Sequence, residues 1–136
     1  MAGRRSVLMT KALAATMVIG VVSAPAYGAA GDMSVAAFMA KAAALNAKGP
    51  MALFSGDYSL LKAEAAGGAQ AYRAQLRGEL AAGHPSSCPP PRAPFTSDDI
   101  LGQMRSYPVA VRDHTSVRAA ITELFRKTYP CPAARR

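Results

Sequence analysis

The last third of the chain decides the fold, because it carries both cysteines and the clearest helical patterns. Residues 88–132 read CPPPRAPFTSDDILGQMRSYPVAVRDHTSVRAAITELFRKTYPCP. Two stretches in which apolar residues recur every three or four positions lie between Cys88 and Cys131. If the two stretches form an antiparallel pair of helices, the outer ends of the pair meet on one side. A disulfide between the two cysteines suits that arrangement.

Both helices of this pair have recognisable start and stop signals. Thr96 and Asp99 have the spacing of a capping box, with Asp in place of the usual Glu, and Pro108 ends the first helix. Thr115 or Ser116 is expected to cap the second helix. The predicted inward-facing residues are Ile100, Leu101, Met104 and Tyr107 in the first helix, and Val117, Ala120, Ile121, Leu124 and Phe125 in the second.

Two connecting segments flank or join these helices. Residues 83–96 are rich in proline, and consecutive prolines hold a chain extended and stiff, so this segment is predicted to be a rigid connector between two helical halves. Between the two C-terminal helices, Val109-Ala110-Val111 is the candidate for a short extended piece.

The first half predicts a helix that begins after Asp32 or Ser34, both of which can act as N-caps. Gly49 and Pro50 end it, and a short turn through Leu53 and Phe54 follows. The apolar face of this helix is predicted to comprise Val35, Phe38, Met39, Ala42 and Leu45.

A longer helix is expected to start at a cap on Asp57 or Ser59 and to end near Gly83. The Gly67-Gly68 pair within it costs about 1 kcal/mol per glycine relative to alanine. The pair therefore marks either a kink or a close helix contact, and we favour the contact. The predicted inward face comprises Leu61, Ala65, Gly68, Ala69, Tyr72, Leu76 and Leu80, while Arg73, Arg77 and Glu79 fall outside it.

These elements predict an all-α protein, a small bundle of four to five helices with a disulfide-closed C-terminal helical hairpin. We expect the bundle to be a single domain spanning residues 27–136. No alternating run of apolar and polar residues is long enough to predict a strand.

The N-terminal residues 1–26 have the pattern of a secretory signal peptide. A basic region with Arg4, Arg5 and Lys11 precedes an apolar run, which ends at the small-residue site Ala24-Pro25-Ala26. A membrane anchor is the alternative, but the continuous apolar part is only about 12 residues long, against about 20 for a spanning helix. Cleavage after Ala29 or Ala30 is also open.

Export predicts the state of the cysteines and the location of the protein. Cleavage after Ala26 would leave 13 basic against 8 acidic side chains, a net charge of +5. A periplasmic location is expected, and the oxidising compartment favours a Cys88–Cys131 disulfide. A metal site involving His84, Cys88, Cys131 and His114 is the less favoured alternative, because their spacing matches no standard ligand pair.

The sequence gives no sign of catalysis or of a cofactor. It contains no nucleophile elbow, zinc-protease helix, phosphate loop or haem-attachment motif. Asp98 and Asp99 are adjacent acids at a predicted helix N-terminus, where the helix dipole explains them more simply than paired catalytic carboxylates do. We therefore expect a protein without enzymatic activity.

The positive charge suggests where a partner would bind. The basic residues are spread over several segments without interleaved aromatic residues, so a nucleic-acid groove is not expected. Arg73 and Arg77 on one face of the long helix, together with Arg92 in the connector, are the best candidate for a small binding patch. A solvated helix face is the alternative interpretation.

A family resemblance adds to this reading. The features that carry it are, in order, Cys88-Pro89-Pro90, the helix with Ile100, Leu101 and Met104, the Tyr107-Pro108 stop, the helix with Val117, Ala120, Ile121 and Leu124, and the closing Tyr129-Pro130-Cys131-Pro132. In this pattern the chain resembles the type VI amidase immunity (Tai-like) family, small exported helical proteins that neutralise cell-wall-cleaving amidase toxins from neighbouring bacteria. The resemblance implies a protein partner, a cell-wall amidase effector.

Two functions follow as hypotheses. The first is an immunity-like protein that binds a partner enzyme and occludes its active cleft, through a helix end or the rigid connector around Arg92. The second is a structural or chaperone-like envelope stress protein with no single enzyme partner, whose alanine-rich helix faces bind client chains or a second copy as a homodimer.

Overall fold

The computed structural model describes residues 28–133, so the predicted signal peptide at residues 1–26 lies outside the described part of the chain. Within this part the chain is all-α, as predicted, and its only β-type pairing is an isolated bridge between Ser34 and Ser116. The elements are α1 (Val35–Ala47), the 3₁₀ helix η1 (Gly49–Phe54), α2 (Gly56–Ala81), α3 (Ser97–Ser106), the 3₁₀ helix η2 (Val109–Val111) and α4 (Val117–Thr128).

Helix α1 begins and ends where the sequence predicts. The Ser34 hydroxyl caps it by accepting a hydrogen bond from the Ala37 amide at 3.2 Å. Asp32, the other candidate cap, instead forms a salt bridge with Arg118 at 2.8 Å. Gly49 follows the helix with a φ of +56°, a left-handed conformation that glycine adopts at low cost.

The start of α2 corrects one prediction. Ser55, and not Asp57 or Ser59, occupies the N-cap position, and its side chain makes no capping hydrogen bond. Asp57 lies in the first turn, where a carboxylate interacts favourably with the helix dipole, and it pairs with Lys41 of α1 at 2.7 Å. The helix begins earlier than predicted because η1 ends at Phe54 and leaves no further loop.

Helix α2 is 26 residues long and continues through the glycine pair without interruption. A Cβ atom on Gly68 would lie 3.3 Å from the Cα atom of Arg118, so α4 crosses α2 at this glycine. A Cβ atom on Gly67 would lie 2.5 Å from Ala30. The predicted close contact is therefore confirmed, and it involves the N-terminal segment as well as a helix.

The core is one cluster centred on the contact between α2 and α4. All five predicted inward residues of α4 are buried, and Leu61, Gly68, Tyr72 and Leu76 are buried on α2. Leu80, predicted to lie on the same face, is 55% exposed. The prediction is wrong there because Leu80 lies in the last turn of α2, one turn beyond the last buried position of that face.

The C-terminal helices agree with their predicted caps. Thr96 and Asp99 form the capping box of α3, and the Ser116 hydroxyl caps α4. Between them, Val109-Ala110-Val111 is not extended but forms η2. The Val111 amide donates to the Pro108 carbonyl at 3.1 Å, a turn that helps to reverse the chain over the short distance between the helices.

The segment before α1 is held along the start of α4. The amides of Val117 and Arg118 donate to the carbonyls of Met33 and Gly31, both at 2.8 Å. These bonds satisfy amide groups that a helix N-terminus leaves without a partner. The other anchor is Glu64 of α2, whose buried carboxylate accepts the amides of Gly31 at 2.8 Å and Met33 at 3.1 Å.

The disulfide between Cys88 and Cys131 is present, with the two Cα atoms 4.8 Å apart. The Cys88 amide also donates to the Tyr129 carbonyl at 2.8 Å, which joins the chain before α3 to the chain after α4. The predicted closure of the C-terminal hairpin is thus confirmed. None of the helices in residues 28–133 has both the length and the apolar character needed to cross a membrane.

Candidate partner-binding surfaces

The proline-rich connector is fixed where it leaves α2. Ser87 is fully buried, and its hydroxyl lies 2.6 Å from the Tyr72 hydroxyl. The Ser86 amide donates to the Glu79 carboxylate at 2.7 Å. These bonds join the start of the connector to two positions about two turns apart on α2. The direction of the connector is therefore set before the first proline of the Pro89-Pro90-Pro91 run.

The far side of the connector is fixed by packing. Ala93 is buried in the core, and the Phe95 ring meets the Phe125 ring edge-on with 4.8 Å between their centroids. The Phe95 ring also lies 5.9 Å from that of Tyr129. With the disulfide at Cys88, both ends of the short run 88–94 are therefore attached to the helices.

Arg92 is exposed and lies directly before buried Ala93. The connector therefore presents this side chain to solvent from a backbone that is attached on either side.

Arg73 lies beside the connector. Its guanidinium is 5.4 Å from the centroid of the Phe125 ring, and its side chain lines a shallow cavity of about 220 Å³ together with Ala93 and Phe95. Arg77 is exposed one turn further along α2. The structure thus brings Arg73 to the connector, while Arg77 extends the same helix surface. We call residues 88–94 with Arg73 and Arg77 the connector surface.

The connector surface is positively charged and open to a partner. Among residues 28–133, the side chains of Arg73, Arg77 and Arg92 form no salt bridge.

The Glu79 carboxylate, which holds Ser86, has a lowered pKa because the Ser86 and Gln75 side chains and the Ser86 amide all donate to it. It therefore stays ionised and bonded at neutral pH.

A second candidate surface is an apolar groove that the sequence did not reveal. It has a volume of about 410 Å³ and lies between α1, η1, α2 and the start of α3. Among residues 28–133, Lys62 is the only charged residue that lines it. The lining comprises Phe38, Ala42, Leu45, Asn46, Gly49, Ala52, Leu53, Tyr58, Leu61, Lys62, Ala65, Ser97, Ile100 and Leu101.

The apolar surface continues from the groove onto η1. Leu53 is 63% exposed, Met51 is 68% exposed and Phe54 is 85% exposed. The sequence placed Leu53 and Phe54 in a short turn, and the signal that could have revealed this surface is three large apolar side chains in a segment too short to bury them.

The structure does not assemble the other candidate residues into a reactive site. His84 and His114 are exposed, both cysteines are in the disulfide, and no three metal-binding side chains cluster within residues 28–133. Asp99 accepts the Thr96 amide at 2.8 Å, and the hydrogen bonds from Thr96 lower the pKa of its carboxyl. Asp99 therefore acts as part of the α3 cap.

Comparison with known proteins finds no matching family model, curated protein or solved structure. The fold and the two surfaces described above define the chain as an all-α protein with a disulfide-braced surface connector.

Proposed function

We propose that this chain is an exported protein that acts by binding another protein through the connector surface. The observation that carries the proposal is that the connector is anchored at Ser87 and Ala93 while Arg92 is exposed between them. A loop already fixed in one conformation loses little entropy when a partner binds, so more of the contact energy becomes affinity. Binding and occlusion require no catalytic group of this chain.

The partner that we propose is a cell-wall amidase effector, and the action is occlusion of its active cleft. The support is the resemblance of residues 88–132 to the amidase immunity family, in which the Cys-Pro-Pro and Tyr-Pro-Cys-Pro segments lie at the two ends of the pattern. Arginines that form no salt bridge within residues 28–133 favour an acidic face on the other protein and would also accelerate its association.

The proposed place of action is the periplasm, reached through the signal peptide at residues 1–26. Ala30 packs on Gly67, and the Gly31 amide donates to Glu64, so both residues belong to the folded unit. Cleavage after Ala26 would leave this segment intact, whereas cleavage after Ala30 would remove the residue that covers Gly67. This argues against cleavage after Ala30 and keeps Ala26 as the proposed cleavage position.

The test is capture of a partner from periplasmic extract by the exported protein, followed by mass spectrometry. Arg92→Glu reverses the charge at the tip of the connector and is expected to reduce capture about tenfold or more, as loss of a central interface arginine does. Arg105→Glu makes the same charge change at an exposed position of α3 and serves as the control. Equal capture by both variants would remove the connector surface from the interface.

The amidase itself is tested in cells. Bacteria that export a captured amidase should lyse, and co-export of this chain should prevent lysis. The Arg92→Glu variant should protect poorly although it folds normally. A captured partner without cell-wall amidase activity would keep the binding function and reject immunity.

The second candidate is a chaperone-like envelope protein, and a specific observation favours it. The exposed apolar side chains of η1 and the adjacent groove are a surface on which unfolded client chains could bind. Suppression of client aggregation that is lost in Phe54→Ser and retained in Arg92→Glu would support this function over the first.

A further inference from the structure

We propose that the groove between α1, η1, α2 and α3 binds the hydrocarbon chain of an anionic single-chain amphiphile of the fatty-acid type, with Lys62 near its head group. The described residues that line this groove are not among those of the connector surface, and the proposal does not depend on the identity of the protein partner. It rests on the size, the lining and the charge of the groove.

The size and lining fit a small apolar ligand. A volume of about 410 Å³ lies within the range of about 300–1,000 Å³ that is typical of small-molecule pockets. Phe38 and Leu45 from α1, Leu61 from α2, and Ile100 and Leu101 from α3 line it from three helices. A hydrocarbon chain in the groove would cover apolar surface that α1, α2 and α3 leave open to solvent.

The charge distribution selects the head group. Lys62 is the only charged residue in the described part of the chain that lines the groove. Its ammonium lies 5.7 Å from the centroid of the Tyr58 ring, which also lines the groove. Within residues 28–133 Lys62 forms no salt bridge. A carboxylate placed beside Lys62 would supply the missing counter-charge.

Among residues 28–133, no carboxylate lines the groove. Asp57 is paired with Lys41, and Asp98 and Asp99 follow Ser97 along α3 without lining the groove. Lys48 adds positive charge next to Gly49, where its ammonium lies 3.3 Å from the Ser55 hydroxyl. The groove is therefore apolar inside and cationic at its border.

The same charges argue against a second copy of this chain as the occupant. A two-fold dimer built on this face would bring the Lys48 and Lys62 side chains of both copies into one interface, and Asp57, which precedes the lining residue Tyr58, is already paired with Lys41. Like charges at an interface disfavour association, whereas an anionic amphiphile neutralises them.

The experiment is calorimetric titration of the exported, disulfide-bonded protein with dodecanoate and with dodecyltrimethylammonium, both below their micelle concentrations. We expect one dodecanoate per chain, and about fivefold weaker binding of the cationic amphiphile, which corresponds to one exposed ion pair. Lys62→Glu should remove this preference. Lys127→Glu makes the same change at an exposed position of α4 and should keep the preference.

Filling the groove tests the location. Ala42→Leu and Ala52→Leu add bulk from two different elements, α1 and η1. Each should weaken dodecanoate binding about tenfold or more if the hydrocarbon chain occupies this space. Thermal melting by circular dichroism identifies variants that do not fold, and either variant alone is sufficient for the test.

Three results would overturn the proposal. These are equal affinity for the two head groups, dodecanoate binding unaffected in a folded groove-filling variant, and a protein that sediments as a dimer dissociated by Phe54→Ser. The last result would assign the groove to a second copy of the chain. Because none of these measurements uses the connector partner, failure here leaves the proposed function untouched.

Discussion

Glu64 and the glycine pair that follows it hold the N-terminal segment through contacts of single residues. The Glu64 carboxylate is buried and accepts two backbone amides, which compensate for the loss of water around its charge. Gly67 and Gly68 leave room for Ala30 and α4 next to the same helix. These contacts explain why α2 contains two glycines at this point although glycine is a poor helix former.

Removing the Glu64 side chain tests this anchor. We expect Glu64→Ala to lower the free energy of unfolding by about 1–3 kcal/mol, because the amides of Gly31 and Met33 lose their acceptor. Urea unfolding measures it. Glu123→Ala is the control, since it removes only a surface pair with Arg126, worth about 0–1 kcal/mol. Equal losses in the two variants would contradict the anchoring role.

The glycines of α2 provide a second comparison. Gly78→Ala meets no atom within 4 Å and should stabilise the protein by about 0.5–1 kcal/mol, because alanine is the better helix former. Gly67→Ala makes the same change where the new Cβ meets Ala30 at 2.5 Å, so it should destabilise. Thermal melts of the two variants should shift in opposite directions, and parallel shifts would show that Ala30 is not held on α2.

Among the elements, the connector is held by side-chain hydrogen bonds and by aromatic packing. It is attached to α2 by Tyr72–Ser87 and by Glu79–Ser86, and to α4 by the Phe95–Phe125 packing. A proline-rich segment forms few backbone hydrogen bonds of its own, so these side-chain contacts supply the order that the prolines cannot.

The Glu79 contact makes part of this order dependent on pH. Because the hydrogen bonds from Ser86 lower the pKa of Glu79 in the folded state, the stability that they contribute is present at neutral pH. It is lost as pH falls below the ordinary pKa of glutamate, about 4.3, and through the lowered folded value. The difference in unfolding free energy between wild type and Glu79→Gln should therefore shrink from pH 7 to pH 3 in urea titrations. A difference that stays constant would contradict this contact.

At the scale of the whole molecule, the α2–α4 contact builds the core and the disulfide closes the hairpin that supplies α4. The sulfur bridge spans 43 residues of sequence but lies at the edge of the core, next to the connector. Its contribution is therefore mainly to limit the unfolded chain and to hold the connector, while helix packing determines the topology.

Removing both cysteines separates these roles. We expect Cys88→Ser with Cys131→Ser to lower the free energy of unfolding by up to about 4 kcal/mol, the chain-entropy value for a loop of this length. The helical circular dichroism at low temperature should remain, because the core residues are unchanged. An unchanged melting temperature would show that the bridge is dispensable.

The sequence by itself determined the helices, most of their caps and the disulfide. Helical periodicity and capping chemistry are local, and they sufficed for α1, α3 and the inward face of α4. Of the candidate binding site, the sequence supplied Arg73, Arg77 and Arg92 but not the contact of Arg73 with Phe125, which depends on how α2 and α4 cross.

Only the tertiary structure decided which polar groups are buried and where apolar surface is left open. Glu64 is buried because the N-terminal segment returns to α2, and Leu80 is exposed because it lies in the last turn, beyond the buried face of α2. The groove exists because three helices and η1 meet without filling the space between them. Such features depend on contacts between residues far apart in the chain, and no local pattern records them.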